Sequence, residues 1–129
     1  MNIPAKFKYT ENDEWIEVEG DAGKVGITDY AQDQLSDIVY VEILVAEGDT
    51  VSQGDSCATI ESVKAAADVY MPVSGKVVAV NDDLPDTPEQ VNSDPYGAAW
   101  MVQIELSDPS ELDKLMDAEA YEAFLKTKE

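Results

Sequence analysis

The stretch from Ser56 to Met71 constrains the chain more than any other, because two runs of strand character meet there at a single lysine. Between Ser56 and Ser62 the side chains alternate, with Ala58 and Ile60 on one side and Cys57, Thr59 and Glu61 on the other. Strict alternation over a handful of residues marks a half-buried strand. Asp68 to Met71 is extended again, and Pro72 closes the segment. The residues between are small, so the spacing predicts a hairpin with Lys64 at or near its tip. A lysine in a loop is ordinarily a solvated surface residue and adds nothing to a core. Lys64 differs in being the only cation between Lys24 and Lys76, and its neighbours Val63 and Ala65 leave the amine open to an enzyme.

Charge removes whole classes of function. The 129 residues carry 28 acids and 8 lysines, with no arginine or histidine, for a formal net charge of -20. Nucleic acid and anionic membrane surfaces both require clustered cations, so neither is a partner. A charge of this sign favours solubility and steers encounter with basic surfaces. The length fits one domain over residues 1–129, with a core over about 14–106 and a C-terminal helical segment over 108–127. Cys57 has no partner for an internal disulfide and reads as a small core filler. No apolar run is long enough to span a bilayer. Met1-Asn2-Ile3-Pro4 has neither a signal-peptide apolar region nor an Arg-rich transit pattern. A bacterial cytoplasmic protein is the simplest reading, with a processed mitochondrial form left open.

Along the chain the pattern is mainly β. A short extended piece is expected near Phe7 and Tyr9, then a strand over Glu14 to Glu19 that turns at Gly20-Asp21-Ala22-Gly23 and returns over Lys24 to Ile27. Thr28 caps a short helix over Asp29 to Leu35. Ile38 to Val45 is β-branched and reads as a central strand. Glu47-Gly48-Asp49 and Gln53-Gly54-Asp55 are two Gly-Asp turns, and Val77 to Asn81 and Trp100 to Leu106 are further strands. Asp82 to Gly97, with Pro85, Pro88 and Pro95, reads as a long surface loop. Asp108-Pro109-Ser110-Glu111 starts a helix carrying Leu112, Leu115 and Met116, and Asp117 starts another carrying Tyr121, Phe124 and Leu125. A turn, a short apolar strand and a hairpin arm recur on either side of Lys64. A flattened barrel of two interlocked sheets would produce that echo, although the echo alone does not require one.

Catalytic constellations are missing. Without histidine the usual acid-base and nucleophile-activating arrangements are absent, and there is no metal-ligand spacing or Gly-rich phosphate cradle. The residues argue against a self-sufficient enzyme. A carrier needs less: one amine to acylate, a rigid hairpin to present it, and a surface for visiting enzymes.

Glu61-Ser62-Val63-Lys64-Ala65, followed by Asp68-Val69 and Pro72-Val73-Ser74-Gly75, resembles the lipoyl-attachment hairpin of glycine cleavage system H proteins. Val25-Gly26-Ile27-Thr28-Asp29-Tyr30-Ala31-Gln32, Asp37-Ile38-Val39-Tyr40-Val41-Glu42, Asn92-Ser93-Asp94-Pro95-Tyr96-Gly97 and Ala118-Glu119-Ala120-Tyr121 resemble that family's pattern in order. The resemblance implies a flattened barrel-sandwich hybrid of the lipoyl/biotinyl-carrier type, with a short internal helix and C-terminal helices. It implies lipoate bound covalently on Lys64 and a non-catalytic, monomeric carrier. The aminomethyl group would pass from glycine decarboxylase (P protein) to the tetrahydrofolate-dependent aminomethyltransferase (T protein), and dihydrolipoyl dehydrogenase (L protein) would reoxidise the arm. It also implies that Glu14 and Asp68, with Asn12 beside them, line the cleft for the loaded arm, and that Glu61 guides the lipoylating enzyme. The chain departs from the family at Asp13, usually histidine, and at Ser36 and Ala99, usually glycine. Asp13 adds negative charge near the cleft, while Ser36 and Ala99 are expected to take conventional backbone angles. The alternatives are an H-like lipoyl-relay protein, a biotin carrier (whose hairpin usually has methionine on both sides of the lysine), and an unmodified structural domain or small hydrolase.

Overall fold

The computed structural model describes residues 2–128; Met1, used in the leader reading, and Glu129 lie outside the described residues. Among the described residues nine strands form two antiparallel sheets. The larger comprises β1 (Lys8–Tyr9), β2 (Glu14–Glu19), β3 (Ala22–Ile27), β5 (Thr50–Val51), β8 (Gly75–Val80) and β9 (Val102–Leu106), in the order β1-β2-β3-β9-β8-β5. The smaller comprises β4 (Ile38–Ile43), β6 (Ser56–Ser62) and β7 (Ala66–Tyr70), in the order β4-β6-β7. With α1 (Asp29–Leu35), α2 (Gln90–Ser93) and α3 (Ala118–Lys126), this is the mainly β, two-sheet architecture expected.

Each sheet contributes one inward face. Ile16, Val25, Val77 and Ile104 of the larger sheet join Val41, Ala58, Ile60 and Val69 of the smaller in one buried cluster. The outer face of β1 and β2 is covered as well. Because side chains alternate along β2, Ile16 points into the main core, whereas Trp15 points into a second cluster with Phe7, Tyr9, Tyr121 and Leu125. Gly26 lies opposite Trp15 in the ladder, and a Cβ there would stand 2.8 Å from the indole. The glycine is the space into which the tryptophan packs.

The two Gly-Asp turns are near copies of each other, six positions apart. Asp49 and Asp55 accept from the Ala46 and Ser52 N–H groups at 2.9 and 2.8 Å. Gly48 and Gly54 sit at φ 97 and 91, where only glycine is unstrained. Their N–H groups donate to the Val77 and Met71 carbonyls, both at 2.8 Å. Val77 and Met71 donate back to the Asp49 and Asp55 carbonyls, again at 2.8 Å. The two turns before Lys64 thus form a pair of matched clasps, each closed on the chain after it, at Val77 in β8 and at Met71 just past β7.

Several expectations require correction. Ile38–Ile43 is an edge strand, not a central one, and β6 takes the centre. A register shift between Ile38 and Tyr40 leaves only Ile38 and Val41 buried, with Val39 and Tyr40 exposed. Residues 82–97 are not a bare surface loop: they contain a 3-10 turn over Leu84–Asp86 and α2, and bury Leu84 and Val91. The segment at Pro109–Lys114 is a 3-10 helix, capped by Asp108 as expected. Ser36 does not take conventional angles: it lies at φ 67 and ψ -152. Ala99, by contrast, is not among the described residues with positive φ.

Candidate functional site

Lys64 stands in the tight turn joining β6 to β7 and is exposed. Ser62 makes that turn. Its N–H donates to the Ala65 carbonyl at 2.8 Å, and its hydroxyl accepts from the Lys64 and Ala65 N–H groups at 3.1 and 2.9 Å. A serine hydroxyl that closes a turn on its own backbone rigidifies it without help from a core. Val63 N–H donates to the Asp37 carbonyl at 3.0 Å, which ties the tip to the start of β4. The backbone that bears the lysine is therefore fixed, while its side chain is exposed.

The Lys64 Nζ donates to the Gln34 carbonyl at 3.3 Å. Gln34 is in the last turn of α1, where carbonyls have no intrahelical partner. It also lines a groove of about 180 Å³ between α1 and the hairpin. Ile27, Ala31, Leu35, Ile60 and Val69 form the apolar lining, and Asn12, Asp13 and Asp68 the polar part. Ala31 and Leu35, four apart on α1, are only half-buried because one side faces this groove. An apolar trough with carboxylates in its lining, beside an exposed amine, fits a hydrocarbon arm carrying a cationic end.

The anticipated site residues are only partly brought together. Asn12 and Asp68 share the groove, whereas Glu14 does not line it. Glu14 lines a second cleft of about 250 Å³ with Asn12, Tyr70 and Met116. It is 1% exposed and both its oxygens are engaged, Oε1 by the Thr10 hydroxyl at 2.7 Å and Oε2 by the Tyr70 N–H at 3.0 Å. Burial raises its pKa despite those two bonds, and the nearby Asp13 charge adds to the effect. Glu61 points outward on the smaller sheet, with Tyr40 and Asp68 around a shallow depression. The sequence reading missed Gln34, Ala31 and Leu35 as groove residues. The four-residue spacing of Ala31 and Leu35 on a capped helix was the available signal.

A two-sheet β core that holds one solvated lysine in a rigid turn, beside an apolar groove, defines a carrier of a covalently tethered arm. Residues 7–128 match the family model for glycine cleavage H-protein. The glycine cleavage system H proteins of Escherichia coli and Symbiobacterium thermophilum are 56% identical over 126 residues and 53% identical over 125 residues, each match covering 97% of both chains. The solved glycine cleavage system H protein of Mycobacterium marinum superposes with a TM-score of 0.84 at 36% identity, covering 94% of this chain and 97% of that one. The chain belongs to the glycine cleavage H-protein family. As such it is a lipoyl carrier of the glycine cleavage system, not an enzyme, and its partners are the P, T and L proteins.

Proposed function

We propose that Lys64 is the lipoylated residue and that the groove between α1 and the hairpin seats the arm. The observation that carries this reading is the reach of the Lys64 Nζ to Gln34, at the groove itself. When bound, lipoate supplies a thiol-disulfide pair that can accept and release a one-carbon amine. The chain's own contribution is mounting, orientation and exclusion of water. Ser62 holds the turn. Ile27, Leu35 and Val69 keep the groove apolar, which strengthens any charge interaction inside it. Asp68 and Asn12 face the ammonium end, the one with an opposite charge and the other with an amide oxygen to accept from it.

Glu14 acts on this groove indirectly. Its carboxylate fixes Thr10, and the Thr10 hydroxyl accepts from the Asn12 N–H at 3.2 Å, so Glu14 is a positioning residue. Glu61, exposed near the turn, is offered to the lipoylating enzyme. Residues 14–106 serve as the carrier core and 108–127 as a strap beside it. We also place the protein in the bacterial cytoplasm, a reading supported by its bacterial relatives; no described helix is long and apolar enough to cross a membrane.

Intact mass after co-expression with a lipoylating enzyme and lipoate tests the attachment. The expected result is one added lipoyl group, lost in Lys64→Arg. Modification that survives Lys64→Arg would overturn it. In the loaded protein, Asp68→Asn and Glu14→Ala should both speed hydrolytic loss of the aminomethyl group, read as release of formaldehyde and ammonia; an unchanged rate in both would remove the groove from the reading.

A further inference from the structure

Asp13 lines the same groove as Asn12 and Asp68, and its backbone is held at φ 66. Aspartate tolerates that left-handed angle better than most residues. The conformation is fixed from two directions: the Asp13 N–H donates to the Thr10 carbonyl at 3.2 Å, and its carbonyl accepts from the Thr28 N–H at 3.0 Å.

The carboxylate is fixed as well. Its side chain is 17% exposed, and Oδ1 accepts from the Tyr121 hydroxyl at 3.0 Å. Tyr121 and Thr28 hydroxyls are 2.7 Å apart. With the single Tyr121 proton committed to Asp13, Thr28 is the donor in that pair. A chain of two hydroxyls therefore aims Oδ1. The Lys128 Nζ lies 3.3 Å from Oδ2, and rests over the Tyr30 and Phe124 rings at 5.4 and 4.8 Å from their centroids. Two carboxylates thus line one groove. Of these two carboxylates only Asp13 has an ion-pair partner among the described residues, and that partner's side chain is 31% exposed on a long flexible stem.

Resting on the reading of this groove as the seat of the arm, we propose that Asp13 is a binding residue for the cationic cargo, with Lys128 as its displaceable counter-ion. Without cargo, Lys128 offsets the repulsion between Asp13 and Asp68. A cargo ammonium entering the groove meets two lining carboxylates, whereas Lys128 pairs with Asp13 alone, and so competes for Asp13. Lys128 has solvent to retreat to; the cargo, tethered by its arm, does not. Tyr121 keeps Oδ1 aimed in both states, so the carboxylate does not turn away as the cation changes. Cargo affinity is then set by a competition within this chain, which loosens the hold enough for a visiting enzyme to take the cargo.

The test uses the lipoylated protein, with the arm either loaded with aminomethyl cargo or oxidised and empty. Lys128→Met should slow hydrolytic loss of the aminomethyl cargo, read as release of formaldehyde and ammonia, by about two- to five-fold at low salt, the range expected for removing a weak, part-exposed competing pair. Asp13→Asn, an exchange that keeps a residue at ease with positive φ, should speed loss and make Lys128→Met silent in the double variant. Independently of loss rates, loading should move the Lys128 Nζ NMR resonance toward that of a free lysine. An unmoved Lys128 resonance, or Lys128→Met slowing loss equally with and without Asp13, overturns the proposal. If Asp68→Asn speeds loss while the Asp13 and Lys128 variants do nothing, this proposal alone falls. If the Asp68 variant is silent too, the groove reading falls with it.

Discussion

Ser36 sits at φ 67 and ψ -152, a region close to glycine-only territory for an L-residue. The surroundings impose it: its N–H donates to Gln32 at 3.0 Å, and its carbonyl accepts from Asn92 at 2.9 Å. Ser36→Gly should therefore stabilise the protein by about 1 kcal/mol, strain relief offset by the added freedom of the unfolded chain. Urea denaturation checks this, and a loss of stability would refute it. Glu14 is a case where pH reports position. Burial makes the folded state hold the Glu14 proton more tightly than the unfolded chain does, whose value is 4.5. Its stabilising contribution is fully present below that value and is lost as pH rises through the raised folded one. Glu14→Gln keeps an acceptor for Tyr70 and a partner for Thr10 but cannot ionise. The stability of Glu14→Gln relative to the parent should thus be near zero in acid and climb with pH. Cys57 is fully buried, with its pKa pushed up to about 12 by burial and then by the Glu14 charge. Only the thiolate attacks a disulfide, so Cys57 should be silent to a thiol reagent in the folded protein and react once urea exposes it. That insulates the chain from the dithiol it carries.

At the scale of elements, Asn92 is the joint between α1 and the smaller sheet. Its Oδ1 accepts from the Ile38 N–H at 2.8 Å, and its Nδ2 donates to Gln32 Oε1 and the Ser36 carbonyl, both at 2.9 Å. Asn92→Ala should cost about 2 kcal/mol, the loss of one part-buried network, and should speed amide exchange at Ile38. Protection unchanged at Ile38 would mean that the joint holds without it. This joint was hidden in the sequence, where residues 82–97 look like loop because prolines break any period. The helical pieces there are too short to show one, and Leu84 and Val91 are single anchors rather than a stripe. The β-branched run at Ile38 was legible as a strand but not as an edge, since strand order depends on pairing partners distant in the chain. The capped helix at Thr28 and the two Gly-Asp turns were fully legible, because a cap or a glycine turn is decided by neighbours within a few residues.

The same division runs through the whole molecule. Lys64 was readable from the sequence because hairpin and tip are local; the groove was not, because its walls come from residues 27–35 and 60–69 and meet only in the fold. Glu14 and Asp68 were expected in one cleft, yet each lines a different one, with Asn12 lining both. Charge acts at the largest scale. A net charge of -20 is met by only two ion pairs among the described residues, Lys6–Glu17 and Lys128–Asp13. Repulsion between unpaired acids should destabilise the fold at low salt. Thermal unfolding should therefore shift upward as sodium chloride is raised from about 10 to about 150 mM, which shortens the screening length from about 30 to about 8 Å. A midpoint that does not move would show the acids to be too widely spaced to interact.

The serine-closed turn that carries Lys64 has a geometric consequence for every enzyme the protein visits. A backbone pinned by Ser62 and Asp37 cannot lean toward one visitor and away from another. With the arm mounted on Lys64 as proposed, its pivot is stationary, and its radius is set by covalent bonds alone. P, T and L proteins, whatever their own architectures, must each bring a reactive centre within that one radius of the same point.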